Sequence, residues 1–330
     1  MLMHMTLMHD ALRSVARYQF TAGTIGSRVP RIERCGRVGA VFKRACMVLL
    51  DGGGVVALLG PDVGHVAHAV RLVVDEPIDC RIRIGTPVRI CRGGIVFGAD
   101  VVVTLSSARI WTSAVRLGMC ASNSGAFNAM ALTRNVLLDL APQSSSEFLA
   151  AVLPIAPPVT VLGVRVSVAL PRLAVAARGH DANRALLLVH GLIGLGPGLT
   201  PAGDDFVIGW LAGLTLLAQS PAQQEFLAAM RTGVEALSHA TTPVSRQHLA
   251  DACALMFSER LSEVCVAIAS GASRPALQSS LAAQLAVGAT SGADAAAGLI
   301  FALFDCGWGS SVSSPGLWDS GRASCPQRTE

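Results

Sequence analysis

The stretch from Gly191 to Asp205, Gly-Leu-Ile-Gly-Leu-Gly-Pro-Gly-Leu-Thr-Pro-Ala-Gly-Asp-Asp, leaves a chain few ways to fold. Five glycines, two prolines, a threonine and two adjacent acids fall within fifteen positions. Glycines at 191, 194, 196 and 198 permit positive φ and close backbone approach, so the first half reads as a loop. The second half opens a helix that continues through Phe206 to Leu214. Thr200 is placed to be its N-cap and Pro201 its first residue, where a missing N–H costs nothing. Asp204 and Asp205 then close the first turn, at the positive end of the helix dipole. Backbone N–H groups around Gly194, Gly196, Gly198 and Gly203, with the Thr200 hydroxyl, can surround one small anion. Asp204 and Asp205 suit orienting or deprotonating an amine, or holding Mg²⁺. The plainer alternative is a tight turn with a capped helix, which does not need all of these residues at once.

Helical patterns continue to the carboxy end. Asn183–Leu192 reads as a short helix that delivers the loop, and Gly209 and Gly213 give a G-x-x-x-G spacing that favours close helix packing. A helix is expected from Pro221 to about His239. Ser245 is read as the N-cap of a helix over Arg246 to Glu263, and another helix is expected over Arg274–Val287. Ser291-Gly-Ala-Asp294 has the capping-box form, with Ser291 as cap and Asp294 answering from N3, ahead of a helix to Phe304. The starts near 200 and 291 each carry hydroxyl, glycine and aspartate. If they face each other, they form one polar site in an apolar bundle, with Ser291, Gly292 and Asp294 joining the loop residues.

The amino-terminal half has a different period. Val38–Phe42, Ala45–Leu50, Val55–Leu59, Arg81–Ile84, Val88–Arg92, Ile95–Phe97, Val101–Leu105 and Arg109–Trp111 read as short strands between glycine turns. A helix is expected from about Gly125, and a strand over Val159–Val168 ahead of a linker at about 171–183. The expected class is α+β: a β-rich antiparallel sandwich or barrel, then an all-α helical domain. The expected divisions are a poorly ordered extension at 1–35, the β-rich domain at 36–175, the helical domain at 183–306 and a disordered tail at 307–330. His65 and His68 have an H-x-x-H spacing without a third ligand nearby, and read as a solvated turn rather than a metal site.

Composition narrows the partners. The chain is 52% hydrophobic and 15% charged, yet Phe206–Ala218 is too short to span a bilayer and Leu281–Phe304 is interrupted by Asp294 and a turn. A buried helical core or a subunit interface accounts for the apolarity, and no membrane partner is expected. A net charge of +4 with a single tyrosine argues against nucleic acid. Nine cysteines with no C-x-x-C pair fit reduced thiols in a cytoplasm. Met1–Met8 lacks the charged-then-apolar pattern of a signal peptide.

Gly194-Leu-Gly-Pro-Gly-Leu-Thr-Pro-Ala-Gly-Asp-Asp205 closely resembles the signature of a bacterial family long without an assigned function, which includes a subunit of the oxamate carbamoyltransferase of allantoin degradation. Thr242-Pro-Val-Ser245 and Thr290-Ser-Gly-Ala-Asp294 are similar to later stretches of the same family, and the resemblance covers about residues 185–305. It implies a cytoplasmic carbamoyltransferase subunit that works with other subunits on a small anionic substrate such as carbamoyl phosphate or oxamate. The site residues it points to are Asp204 and Asp205 for catalysis, and Gly194, Gly196, Gly198, Thr200, Gly203, Ser245, Ser291, Gly292 and Asp294 for binding the anion. The Ser-x-Arg-Thr phosphate motif of the familiar carbamoyltransferases does not occur in this chain. Two alternatives stand beside this reading. One is a Mg²⁺-dependent hydrolase or phosphoryl-transfer enzyme using Asp204, Asp205 and Asp294; the other is a non-catalytic assembly subunit.

Overall fold

The computed structural model describes residues 16–308, except 76, 121–123, 142–143, 154 and 156. Among the described residues nine strands come first: β1 (Tyr18–Gly26), β2 (Arg34–Phe42), β3 (Ala45–Leu50), β4 (Val55–Leu59), β5 (Ala69–Leu72), β6 (Pro87–Cys91), β7 (Gly94–Phe97), β8 (Val101–Thr104) and β9 (Arg109–Trp111). Ten α-helices follow among these residues: α1 (Ser124–Leu140), α2 (Glu147–Val152), α3 (Val161–Arg178), α4 (Ala182–His190), α5 (Ala202–Leu217), α6 (Pro221–Leu237), α7 (Pro243–Cys253), α8 (Glu259–Ala269), α9 (Arg274–Leu285) and α10 (Ser291–Phe304). The class is α+β, as the sequence leads one to expect.

Eight strands close into a barrel in the order β1-β5-β4-β3-β2-β6-β7-β8, with β8 returning to β1. Closure removes the sheet edges that an open sandwich would leave exposed. β1 makes it possible. Its first half pairs with β8 at Tyr18–Thr21 and its second half with β9 at Thr24–Gly26, while its other edge pairs with β5. A register shift between Ala22 and Thr24 marks the bend. Pairing is antiparallel except for β4–β5, β8–β1 and β9–β1, which are parallel. The inward faces carry Phe20, Ile25, Val38, Val48, Leu58, Ile90, Phe97 and Val103, all buried in one core.

Several elements differ from the sequence reading. β1 lies inside the stretch taken for a poorly ordered extension; its threonines and glycines hide a pattern in which Phe20, Ala22 and Ile25 are buried. Arg81–Ile84 is turn and irregular chain rather than a strand. There Ile82 is buried, Ile84 is exposed, and the Arg81 guanidinium lies 4.1 Å from the Tyr18 ring centroid. The expected strand Val159–Val168 and the linker after it form α3 instead, with Thr160 as N-cap accepting from the Gly163 N–H. Valines suggested a strand, but Gly163, Val166, Leu170 and Leu173 bury one helical face. Pro171 sits inside this helix. Residues 1–15 of the expected extension, and 309–330 of the expected tail, lie outside the described residues.

The chain divides into two compact units. One holds the residues up to Ala114 together with Thr242–Ser262, so the barrel is completed by α7 and the start of α8. The other holds Val115–Thr241 and the chain from Glu263 onward.

At the centre of the second unit, α5 and α10 lie side by side with their amino ends together. Thr200 meets Ser291 at one end, and Gly213 meets Ala302 farther along. Both helices are buried on nearly every side, which places much of the chain's apolar content here. Glycine permits the approach. A methyl on Gly209 would stand 1.8 Å from the Ala295 carbonyl oxygen, and one on Gly298 would stand 1.9 Å from that of Phe206. The G-x-x-x-G spacing thus serves packing. Phe206 in turn stacks on Phe148, with ring centroids 4.8 Å apart. No helix among the described residues is long and apolar enough to cross a membrane.

Candidate functional site

The glycine loop is shaped by three left-handed residues, Gly194 (φ 76), Gly196 (φ 116) and Gly198 (φ 97). Gly194 is pinned: its N–H donates to Asp204 Oδ1 at 2.8 Å, and a Cβ there would stand 2.8 Å from the Ala240 carbonyl oxygen. Gly198 has nothing within 4 Å of where a Cβ would lie, so the tip of the loop is open and exposed. Gly203 is a packing residue; its N–H donates to the Leu195 carbonyl, and a Cβ there would stand 2.0 Å from the Leu192 carbonyl oxygen.

The helix starts are made differently from the sequence expectation. Pro201, not Thr200, is the N-cap of α5, and Thr290, not Ser291, is the N-cap of α10; neither cap's side chain accepts from a backbone N–H of its helix. The freed hydroxyls of Thr200 and Ser291 meet each other at 2.9 Å instead. Packing one helix start against another provides a partner that an isolated capping box does not have. Ser245 is also not a cap: Thr242 caps α7, with Pro243 as first residue, and accepts from the Ser245 N–H at 3.1 Å. Ser245 is buried and falls in the barrel unit, whereas the remaining candidate residues fall in the helical unit.

Three aspartates occupy the paired amino ends of α5 and α10, with different surroundings. Asp204 is fully buried, and both of its oxygens are engaged, Oδ1 by the Gly194 N–H and Oδ2 by the Thr241 hydroxyl at 2.5 Å. It therefore ties the loop to the end of the α6 segment. Asp205 is 8% exposed, and its Oδ2 has no hydrogen-bond partner. Asp294 is fully buried; its Oδ1 accepts from the Ser146 hydroxyl at 2.5 Å, while its Oδ2 likewise lacks a partner. Burial pushes the Asp205 carboxyl well above the usual carboxylate range, with the Asp294 and Asp204 charges adding to it against the Ser291 and Thr200 hydroxyls. Burial also pushes Asp294 up to about 6, opposed by its bonds to Ser146 and Thr290. Sequence spacing did not single out Ser146 or Thr241, although each stands at a helix boundary where hydroxyls are favoured. Beyond Ser146 a cavity of about 520 Å³ is lined by Ser144, Glu147, Ile155, Val159, Gly163 and Ser167.

The barrel unit has a polar cluster of its own. His65 and His68 are buried, at 0% and 1% exposure, and do not form a solvated turn. His68 Nδ1 donates to Asp251 Oδ2 at 2.6 Å, while Arg28 and Gln247 donate to Asp251 Oδ1 at 2.9 and 3.0 Å. The His248 ring meets that of His68 edge-on at 4.7 Å, and burial holds His248 down at about 3, hence neutral. His65 stacks on Trp111 at 4.8 Å, and its segment is bound to Glu259, which also pairs with Arg71 at 2.6 Å. The cluster fastens the segment before β5 to α7 and the start of α8. Partners far along the chain, at 251 and 259, made it invisible in the local spacing.

Among the described residues no group of three or more His, Cys, Asp or Glu side chains is arranged to hold a metal ion. The expected Mg²⁺ set of Asp204, Asp205 and Asp294 is not assembled as ligands, because Asp204 spends both oxygens on Gly194 and Thr241. What the site does offer is two buried carboxyl oxygens without a hydrogen-bond partner, at helix starts joined by the Thr200 and Ser291 hydroxyls, next to a glycine loop with an exposed tip.

Residues 192–303 match the family model of the oxamate carbamoyltransferase subunit AllH. The match starts in the glycine loop and ends in the last turn of α10, so it contains every candidate site residue and none of the barrel strands. It relates this part of the chain to a carbamoyltransferase subunit. No curated protein and no solved structure matches the chain.

Proposed function

We propose that this chain is a subunit of an oxamate carbamoyltransferase-like enzyme, and that it binds a small anionic substrate, carbamoyl phosphate or oxamate, where the glycine loop meets the paired starts of α5 and α10. The observation that carries this reading is the convergence of the two helix amino ends on buried carboxyls with open oxygens, beside a loop whose tip is unobstructed. Helix amino ends and left-handed glycines turn N–H groups outward, and small anions lodge against such groups. Carboxyls in the same place would repel an anion if all were charged. Burial answers this, because it pushes the Asp205 carboxyl well above the usual range and so favours the neutral form, which can donate a hydrogen bond.

Under this reading Gly196, Gly198 and Thr200 hold the anion, and Ser291 and Gly292 complete the wall. Asp205 orients the reacting nitrogen or its proton, and Asp204 keeps the loop in shape. Other subunits complete the enzyme. The test is thermal stabilisation by carbamoyl phosphate, phosphate and oxamate. A ligand at 100 times its Kd adds about 2.7 kcal/mol to the folded state. Gly198→Val places a β-branched residue at φ 97 with nothing to clash against, so it strains the loop and spares the core. Stabilisation by at least one of these anions that disappears in Gly198→Val is expected; stabilisation that survives the substitution removes the loop from the site.

A further inference from the structure

The two helix starts are alike in more than composition. Gly203-Asp-Asp205 with Gly209, and Gly292-Ala-Asp294 with Gly298, both spell G-x-D-x-x-x-G at one constant offset along the chain. The contacts repeat as well. Gly203 donates its N–H to the Leu195 carbonyl at 2.9 Å, and Gly292 donates to that of Val287 at 2.9 Å. A methyl on Gly203 would stand 2.0 Å from the Leu192 oxygen, and one on Gly292 would stand 1.9 Å from the Gln284 oxygen. Farther along, Gly209 receives the carbonyl of Ala295 and Gly298 that of Phe206, which occupy equivalent positions in the two motifs. Gly213 then meets Ala302, its own counterpart. These reciprocal contacts are those of two copies of one element about a local two-fold axis between parallel helices.

Such an axis makes Asp205 and Asp294 counterparts. Both are more than nine-tenths buried, and each keeps its Oδ2 without a partner. Resting on the reading of this place as a substrate site, we infer that Asp205 and Asp294 form one carboxyl pair that shares a proton and grips the –C(=O)NH₂ end of a primary amide. A buried carboxyl oxygen left unpaired costs about 1–3 kcal/mol, so the site favours a ligand that supplies a donor. Two like carboxyls in one low-dielectric place hold a single proton between them, as one charge is all the place tolerates. The pair therefore offers an acceptor and a donor together. An NH₂ group donates to the charged member, and the amide oxygen accepts from the neutral member or from the Thr200 and Ser291 hydroxyls above. The other acidic groups on the surrounding elements are engaged elsewhere: Asp204 with Gly194 and Thr241, and Glu147 on α2 with Thr160.

The experiment is calorimetric titration of the full chain with oxamate, N,N-dimethyloxamate and oxalate, in wild type and in Asp294→Asn, Asp205→Asn and Gly198→Val. Wild type is expected to bind oxamate at least about tenfold more tightly than its dimethyl form, the worth of one charge-assisted hydrogen bond. Each Asn variant is expected to lose that preference, and Gly198→Val to weaken all three ligands alike. Equal wild-type affinity for oxamate and its dimethyl form overturns the pair, and that comparison needs no variant to fold. An amide preference that persists in Asp294→Asn also overturns it. Preference retained with Gly198→Val unaltered keeps the pair and discards the loop; anion binding without amide preference does the reverse. Failure of all three ligands to bind wild type discards both.

Discussion

Replacing Gly298 with alanine tests the central packing directly. The methyl would stand 1.9 Å from the Phe206 carbonyl oxygen and 2.6 Å from the Trp210 nitrogen. A carbon and an oxygen need about 3.3 Å, so α5 and α10 must part by more than about 1 Å along that line. Neither obstructing atom can swing aside, because both are backbone. A gap of that size forfeits about a quarter to a half of each dispersion contact across the seam. Helix propensity works the other way, favouring alanine by about 1 kcal/mol. Overpacking of a rigid site costs about 3 kcal/mol. The net expectation is destabilisation by about 2 kcal/mol or more, which lowers Tm by about 4–8 °C at 2–4 °C per kcal/mol. Differential scanning calorimetry or urea denaturation measures it. Gly209→Ala, facing the Ala295 oxygen at 1.8 Å, should behave alike, and the double variant should cost less than the sum because one separation relieves both clashes. A Gly298→Ala protein as stable as wild type, or more so, would mean that propensity outweighs the clash and that the close seam does not exist.

Two more perturbations reach the carboxyl site and the barrel. Asp294 keeps its proton up to about 6 when folded, against an ordinary value of 3.8. The folded chain thus holds a proton that the unfolded chain has released; the stability this brings is full below 3.8 and is lost as pH rises through about 6. At 1.36 kcal/mol per unit this is of the order of 3 kcal/mol. Asp294→Asn should therefore gain on wild type by up to that amount between pH 4 and pH 7 in urea titrations, and a difference flat with pH would refute the assignment. In the barrel unit, Asp251→Ala strips His68, Arg28 and Gln247 of their shared acceptor. A loss of about 2–3 kcal/mol is expected, below the range for a fully buried pair because Arg28 is partly exposed, and a loss under about 0.5 kcal/mol in chemical denaturation would show the cluster to be incidental.

Local chemistry was legible where it acts locally. The glycines at 194, 196 and 198 do take positive φ, and the helix behind them runs as its apolar residues require. The barrel could be anticipated from short alternating strands, but β1 escaped notice because it is built from threonine and glycine and is stabilised by three neighbours distant in sequence. The caps at Thr200 and Ser291 were misplaced for a related reason: each hydroxyl has a better partner in the other helix start. Local rules assign a hydroxyl to its own helix, and a tertiary contact overrides them. Ser146 and Thr241 illustrate the same limit, since only the fold reveals that their hydroxyls meet Asp294 and Asp204. His65 and His68, read as surface residues, are buried because Asp251 and Glu259 return from far along the chain to meet their segment.

That return path has a bearing on biosynthesis. Thr242–Ser262, which completes the barrel unit, is translated only after every residue of the intervening stretch Val115–Thr241. A nascent chain emerging amino end first can close its strands early, yet His68 meets its carboxylate only after Asp251, 183 residues later, has emerged. No single cut yields both units intact, so expressing either alone requires a fused loop or a permuted chain. A ribosome stalled before residue 242 would leave the buried histidines without their carboxylates and the barrel exposed to proteases and chaperones.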